Sequence, residues 1–213
     1  KGGLIGDDSA VAIAAAQCVI DFTVPEALVA HAKVAQDKCV AMVIGTTGLD
    51  DMALATIKTA AQKTAVLVSA NMSVGVNLLA ALVEQTAARL SDDYDIEIFE
   101  AHHRHKVDAP SGTALLLGHA AADGRGVNLN DALVPARFGQ IGARSKGQIG
   151  MSVFRGGDVI GDHTVTFAGM GERIELTHKA SDRGLFARGA ITAARWLHGQ
   201  PAGLYSMRDV LSL

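Results

Sequence analysis

From position 102 to position 106, five side chains that carry or can take up a positive charge follow one another: His102, His103, Arg104, His105 and Lys106. Buried charge without partners is costly, so the run is expected to face a ligand or water, not to form a core strand. Directly downstream, Asp108, Pro110, Ser111, Gly112 and Thr113 lead into the apolar run Ala114–Leu117, which reads as a helix start. Free N–H groups, the positive end of the helix dipole and the hydroxyls of Ser111 and Thr113 make such a start a site for a carboxylate or phosphate. Lys106 could meet the same anion. Read from residues alone, the stretch is either a solvated basic patch or a titratable cluster that performs general acid chemistry on a negatively charged substrate. A metal site is the third reading, because His103-x-His105 has ligand spacing with Asp108 near. Lys106 in their midst would repel a cation, and no further ligands are evident.

The elements that must position these residues follow a regular order. Gly2, Gly3 and Gly6 do not make G-x-G-x-x-G after a strand and read as a loop, followed by a short alanine-rich helical piece. From Cys18 an apolar run (CVIDF), a helix opened by Pro25 and Glu26, a second run (CVAMVI), a helix over about 49–63 and a third run (AVLVSA) alternate. That alternation predicts a parallel sheet with crossover helices, whose ligands bind at the carboxyl ends of strands. Gly45-Thr46-Thr47-Gly48 and Ser69-Ala70-Asn71-Met72 sit at two such ends, where ordinary turn chemistry is the other reading. Residues 71–90 predict an amphipathic helix with Val74, Leu78, Leu82 and Val83 at helical spacing, placed to bridge two domains.

Residues 94–101 then read as a strand that delivers the histidines, and residues 123–150, rich in Gly, Asn and Arg, as a long mobile loop. Runs over 149–155, 159–167 and 173–178 predict an antiparallel meander, and a helix over 184–197 returns to the first domain. The fold class expected is α/β: a Rossmann-like parallel sheet domain (1–73 and 183–213) plus an α+β domain (74–182) with a mixed or antiparallel sheet for substrate binding and oligomerisation.

At 213 residues, 49% hydrophobic and 19% charged, the chain has the composition of a soluble globular protein of one large or two small domains. A net charge of -3 and a pI near 6.2 argue against nucleic acid, so the partner of the basic run should be small. No apolar stretch approaches the roughly 20 residues of a membrane span and no signal peptide opens the sequence, which makes the cytoplasm the expected compartment. Cys18 and Cys39 are expected to be buried free thiols.

The central stretch resembles the signature of the dihydrodipicolinate reductase family, E-A-H-H-x-x-K-x-D-x-P-S-G-T-A, met here by Glu100, Ala101, His102, His103, Lys106, Asp108, Pro110, Ser111, Gly112, Thr113 and Ala114. Asp21 to Glu26 (DFTVPE), GTTG at 45–48, SANMSVGVN at 69–77 and LTHKAS at 176–181 agree with it too, so the resemblance is spread through most of the chain. It implies an NADPH- or NADH-dependent reduction of the cyclic dicarboxylate of the diaminopimelate and lysine pathway. On this resemblance His102 is the general acid and Lys106 stabilises developing charge or shares the proton transfer. His103, Lys106, Ser111, Gly112 and Thr113 meet the substrate carboxylates, and Arg183 closes the site.

Gly45, Thr46, Thr47, Ser69, Ala70, Asn71 and Met72 would line the cofactor, with no metal, and the assembly would be a homotetramer. One departure stands out: the strand, glycine-rich phosphate loop and helix that open relatives have no counterpart here, so weak binding of NADH and NADPH is expected of the 213 residues. The same departure keeps open a small-molecule binding module that lost its cofactor loop, beside the metal-dependent hydrolase.

Overall fold

The computed structural model describes residues 6–213; the reading of Gly2 and Gly3 falls outside them. Helix α1 (Ser9–Ala14) is capped by Asp8, whose carboxylate accepts from the N–H groups of Ala10 and Val11. Strand β1 (Cys18–Asp21) runs into α2 (Pro25–Lys38), where Pro25 at the first turn forces Val24 into extended backbone and needs no N–H partner. Cys39 ends α2 in the left-handed conformation, and then come β2 (Ala41–Ile44), α3 (Asp51–Ala60), capped by Asp50, and β3 (Ala65–Val68). Helix α4 (Val74–Arg89) leads to β4 (Asp95–His102), and α5 (Gly112–Arg125) starts on Ser111 and stops at Gly126, which has φ 65°. The chain continues through α6 (Leu129–Ala132), β5 (Leu133–Val134), β6 (Ile149–Arg155), β7 (Asp162–Gly169), β8 (Glu172–Lys179), α7 (Gly184–Leu197), β9 (Gly203–Tyr205) and α8 (Met207–Val210).

Two compact units result. One comprises the described residues through Val74 together with Gly184–Leu213, the other Gly75–Arg183. The first holds an all-parallel sheet in the order β1-β2-β3-β9. Its central strands β2 and β3 are apolar on both faces because both are covered. Met42, Ile44 and Val66 pack against Leu28, Ala32 and Ala35 of α2 and Ile57 and Ala60 of α3, whereas Val43 and Leu67 pack against Ala190, Ala193 and Leu197 of α7. Gly189 lets α7 come close: a Cβ there would lie 1.7 Å from the carbonyl oxygen of Met72.

The second unit is a mixed sheet in the order β5-β6-β4-β7-β8, in which β4 pairs parallel with β6 and antiparallel with β7. One face carries the core: Ile96 and Ile98 of β4, Ile149 and Met151 of β6, and Val165 and Phe167 of β7 meet Leu79, Val83 and Ala87 of α4 and Ala114, Leu117 and Ala121 of α5.

Several expectations need correction. The late strands are not a meander, since β4 is inserted between β6 and β7; alternation marks a half-buried strand but not its neighbour or direction. The expected long loop holds α6 and β5, and its remainder is pinned by Arg137, which donates two hydrogen bonds (2.9 and 2.8 Å) to the Glu97 carboxylate, and by Arg144, which binds the same carboxylate and donates to the Ile96 carbonyl (3.0 Å). On α4 the buried stripe is Val76, Leu79, Val83 and Ala87, whereas Leu78 and Leu82 are 42% and 41% exposed. Cys39 is exposed, because a helix C-cap sits at the surface, and Cys18 is half-buried; both are free thiols. Among the described residues no helix is long and apolar enough to cross a membrane.

In an open helix position alanine is about 1 kcal/mol better than glycine. At Gly189 the sign reverses, since the added methyl meets backbone, and Gly189→Ala should lower the unfolding free energy by about 1–3 kcal/mol, read by urea denaturation.

Candidate active site

Alternation along β4 puts Glu100 and His102 on the side of the sheet that Ile96 and Ile98 occupy, at the end of the core. Register brings the rest of a polar layer to them. Glu100 lies opposite His163 of β7, His163 opposite His178 of β8, and Arg155 of β6 pairs with His102. Glu100 is fully buried (0% exposed) and accepts four hydrogen bonds: from Arg155 through Nη1 and Nη2 (2.7 and 2.8 Å), from His102 Nδ1 (2.6 Å) and from the Ser111 N–H (2.9 Å). Burial alone would push this carboxyl up; the Arg155 guanidinium, His102 and the Ser111 N–H outweigh it and hold it below the usual carboxylate range. An ionised carboxylate only accepts, so Nδ1 of His102 carries the proton. Nε2 of His102 then points beside Gly161, where a Cβ would come within 3.0 Å of it.

Ser111 is the N-cap of α5: its Oγ accepts from the Ala114 N–H (3.1 Å) and lies 3.1 Å from His163 Nε2. The His163 ring meets the His102 ring edge-on, with centroids 5.1 Å apart. Burial, with the His102 charge adding to it, pushes His163 down to about 4, so the ring is neutral, and its Nε2 is hydrogen-bonded to the Ser111 hydroxyl. Beyond β4 the chain turns outward. The His103 N–H donates to the Val159 carbonyl (2.6 Å), its Nε2 lies 3.0 Å from Arg183 Nη2, and burial followed by the Arg183 charge lowers its pKa. Lys106 pairs with Asp108 at 2.7 Å, and that pairing holds Asp108 below its ordinary value.

The expectation that the basic run stays out of a core strand fails at His102, which ends β4 and is buried because Glu100 satisfies it; Arg104 and His105 are exposed. Ser111 also departs from its expected part. Its N–H and hydroxyl are spent on Glu100, His163 and the cap; of the residues that follow, Gly112 is exposed and Thr113 half-buried. His103 and Lys106 share the turn that follows β4 (Lys106 N–H to His103 carbonyl, 3.1 Å), and the Ser111 N–H bond to Glu100 holds the start of α5, with Gly112 and Thr113, at the end of the same strand. Among the described residues no group of three or more His, Cys, Asp or Glu side chains is placed to hold a metal ion.

In the parallel unit, Gly45, Thr46 and Thr47 follow β2 and Ser69, Ala70, Asn71 and Met72 follow β3, at the carboxyl ends of adjacent strands. Asp21, at the end of β1, is buried and accepts from the Thr23 N–H (2.8 Å) and hydroxyl (2.6 Å), from the Thr46 hydroxyl (3.0 Å) and from His31 Nδ1 (2.7 Å). Burial raises this carboxyl, but Thr23, His31 and Thr46 together bring it below its ordinary value. The Phe22 ring, 53% exposed, covers Gly45 so closely that a Cβ there would lie 2.2 Å from it. Thr46 and Met72 turn inward: the Thr46 side chain is spent on Asp21 and Met72 is 1% exposed in the core under α7. Ser69 donates to the Asn71 carbonyl (2.7 Å) and Asn71 Oδ1 accepts from the Ser73 N–H (2.8 Å), a turn that presents backbone at the sheet's end.

The sequence places Glu100 and Asp21 in matching stretches without a chemical role and does not single out Arg155, His163 or His31. Two signals existed: Glu100 and His102 are two apart on a strand, and His163 continues the inward series Val165 and Phe167.

The comparisons agree with this architecture. A family model for "Dihydrodipicolinate reductase, N-terminus" matches residues 1–72, and one for "Dihydrodipicolinate reductase, C-terminus" matches 75–211. A curated 4-hydroxy-tetrahydrodipicolinate reductase from Ruegeria sp. (strain TM1040) is 54% identical over 212 residues, covering 100% of this chain and 79% of that protein. Another, from Caulobacter vibrioides (strain ATCC 19089 / CIP 103742 / CB 15), is 55% identical over 98% of this chain and 81% of its own length. Among solved structures, "Dipicolinate bound Dihydrodipicolinate reductase from Paenisporosarcina sp. TG-14" superposes with a TM-score of 0.74 and 25% identity over 91% of this chain and 72% of that one. With family models matching residues 1–72 and 75–211 and more than half of the residues identical to curated relatives, the chain belongs to the dihydrodipicolinate reductase family.

Proposed function

We propose that the protein reduces 4-hydroxy-tetrahydrodipicolinate to tetrahydrodipicolinate, and that His102 supplies the proton. The observation that carries this reading is the Glu100–His102 pair at the end of β4, beside the start of α5, in a chain whose relatives bear that enzyme's name. When bound, a nicotinamide cofactor, NADPH or NADH, supplies a hydride to a ring carbon of the dicarboxylate. The unit built on the parallel sheet is the dinucleotide-binding domain. Gly45 and Thr47 with Ser69, Ala70 and Asn71 would hold the cofactor, mainly through backbone, and the exposed Phe22 ring offers an aromatic face beside them. Strand-end loops that need glycine for close approach fit a flat ring system.

The mixed-sheet unit binds the substrate. As the imidazolium, His102 keeps its Nδ1 proton on the Glu100 carboxylate and gives up the one on Nε2, the nitrogen that Glu100 leaves available, which returns the ring to its neutral Nδ1–H form. Lys106 balances the negative charge that develops and meets a carboxylate together with His103, Arg183 and the N–H groups of Gly112 and Thr113 at the positive end of α5. The place of work is the cytoplasm. Turnover of the dicarboxylate with NADPH or NADH tests the reading as a whole, and its absence in the native protein would leave a binding module in its place.

We also propose a homotetramer assembled through the outer face of the mixed sheet. There Phe99 and Phe154 lie on the side away from the core, 44% and 47% exposed, beside Thr164 and Thr177. Sedimentation of the native protein at micromolar concentration should show a tetramer; monomer alone would refute the assembly.

His102→Gln should lower kcat by about 10²–10⁴ with little change in KM, because the substrate's charged contacts lie elsewhere. Lys106→Ala should impair both, by roughly 2–5 kcal/mol in kcat/KM, since it removes a partner of a carboxylate as well as charge stabilisation. Steady-state kinetics of both variants separates the roles, and His102→Gln with native turnover would move the acid to His103.

His163 makes stability depend on pH. In the folded protein it resists protonation down to about 4, whereas in the unfolded chain it takes a proton below the ordinary 6.5. Between those values the unfolded state binds more protons, so this contribution is complete above about 6.5 and is lost as pH falls towards 4. Denaturant titrations across that window should show a shallower slope for His163→Gln than for the native protein.

A further inference from the structure

A groove lined by Gln17, Cys18, Ile20, Ile191, Ala194, Arg195 and His198 has nothing to say what covers it, and a shallow hollow around Gly169–Glu175 has only surface charge. What carries further is the carboxylate buried behind the histidine. We propose that Glu100 is the positioning residue of the reaction: it holds His102 in the Nδ1–H tautomer with Nε2 presented to substrate, and through the Ser111 N–H it fixes the helix start that receives the substrate anion. The inference rests on the reading of His102 as proton donor and deepens it.

The geometry leaves the carboxylate no other orientation. Arg155 grips both oxygens, Oε2 through Nη1 and Oε1 through Nη2, and itself donates to the Asp108 carbonyl (2.7 Å), so the pair is tied to the loop that carries Lys106. With Oε2 so held, the imidazole that donates to it at 2.6 Å has its ring plane and tautomer set. Oε1 is 2.9 Å from the Ser111 N–H, so the same side chain spaces the proton donor from the first turn of α5. The titratable and charged groups that face His102 are Glu100 on its own strand, Arg155 on β6, His163 on β7 with His178 behind it on β8, and His103 and Lys106 in the turn that follows. Of these only Glu100 is a carboxylate in contact with the ring.

Two measurements test the assignment. In native protein labelled with ¹⁵N-histidine, long-range proton–nitrogen spectra, with His102 identified by its loss in His102→Gln, should place the proton of neutral His102 on Nδ1. A proton on Nε2 would overturn the proposal without any variant having to fold. In Glu100→Gln the amide can present its N–H to Nδ1, so the Nε2–H tautomer should appear, turnover should fall on the order of 10–100-fold, and the pH limb that reports the donor should move to lower pH. A folded Glu100→Gln protein with native turnover, native tautomer and an unmoved limb would also overturn it. If instead His102→Gln keeps native turnover while the Nδ1–H tautomer is observed, the donor is another residue and it is the reading of His102 that fails.

Discussion

The carboxylate of Glu100, fully buried between Arg155 and His102, is the interaction on which the mixed-sheet unit depends. A lone charge in that position would be strongly unfavourable, and the protein keeps it by giving it four donors. These four N–H groups belong to three residues from different parts of the chain: Arg155 of β6, which gives two, His102 of β4 and Ser111 at the start of α5. Because none of these can move without leaving the carboxylate short of a partner, the end of the core becomes a fixed frame. Breaking such a pair by removing one partner is far more damaging than never having built it, which explains why the arrangement demands all its members at once.

The parallel unit uses the same device with different donors. Asp21 is buried at the end of β1, and its partners Thr23, Thr46 and His31 come from the following turn, the β2 loop and α2. Here hydroxyls and a backbone N–H replace a guanidinium, so the carboxylate ties the loop after β2 to the loop after β1. Gly45, pressed under the Phe22 ring, sits in that tie. Rigid strand-end loops let backbone groups recognise a ligand, because the entropy of ordering them has already been spent in folding.

Much of the architecture was legible in local patterns, and the limits are equally physical. Apolar runs of four residues separated by helices announced a sheet covered on both faces, and the cap at Ser111 and the helix over 184–197 could be read from single residues and periodicity. Strand neighbours could not: β6 and β4 are adjacent although some fifty residues separate them, and no periodicity records that. The same distance hid the site's framework. Glu100 finds Arg155 55 residues away and Ser111 finds His163 52 away, so the types of the residues were visible while their partners were not. Treating the basic run as a block of charge also obscured His102, whose environment is set by strand register and not by its sequence neighbours.

That misreading points to why the histidine sits where it does. After β4 the chain leaves the sheet, with His103 half-buried and Arg104 and His105 exposed, and at His102 the alternation still points inward. His102 is therefore the last side chain to share the ordered side of the sheet and the first to border the turn that His103 and Lys106 close. On one side it has a carboxylate with no freedom, and on the other a neutral His163 whose edge packs against its ring. Burial keeps that neighbour, its ring centroid 5.1 Å away, neutral. The polar layer thus separates two histidines of identical chemistry into different parts, one anchored to Ser111 as structure and one left with an open nitrogen, by the difference between facing a hydroxyl and facing a carboxylate.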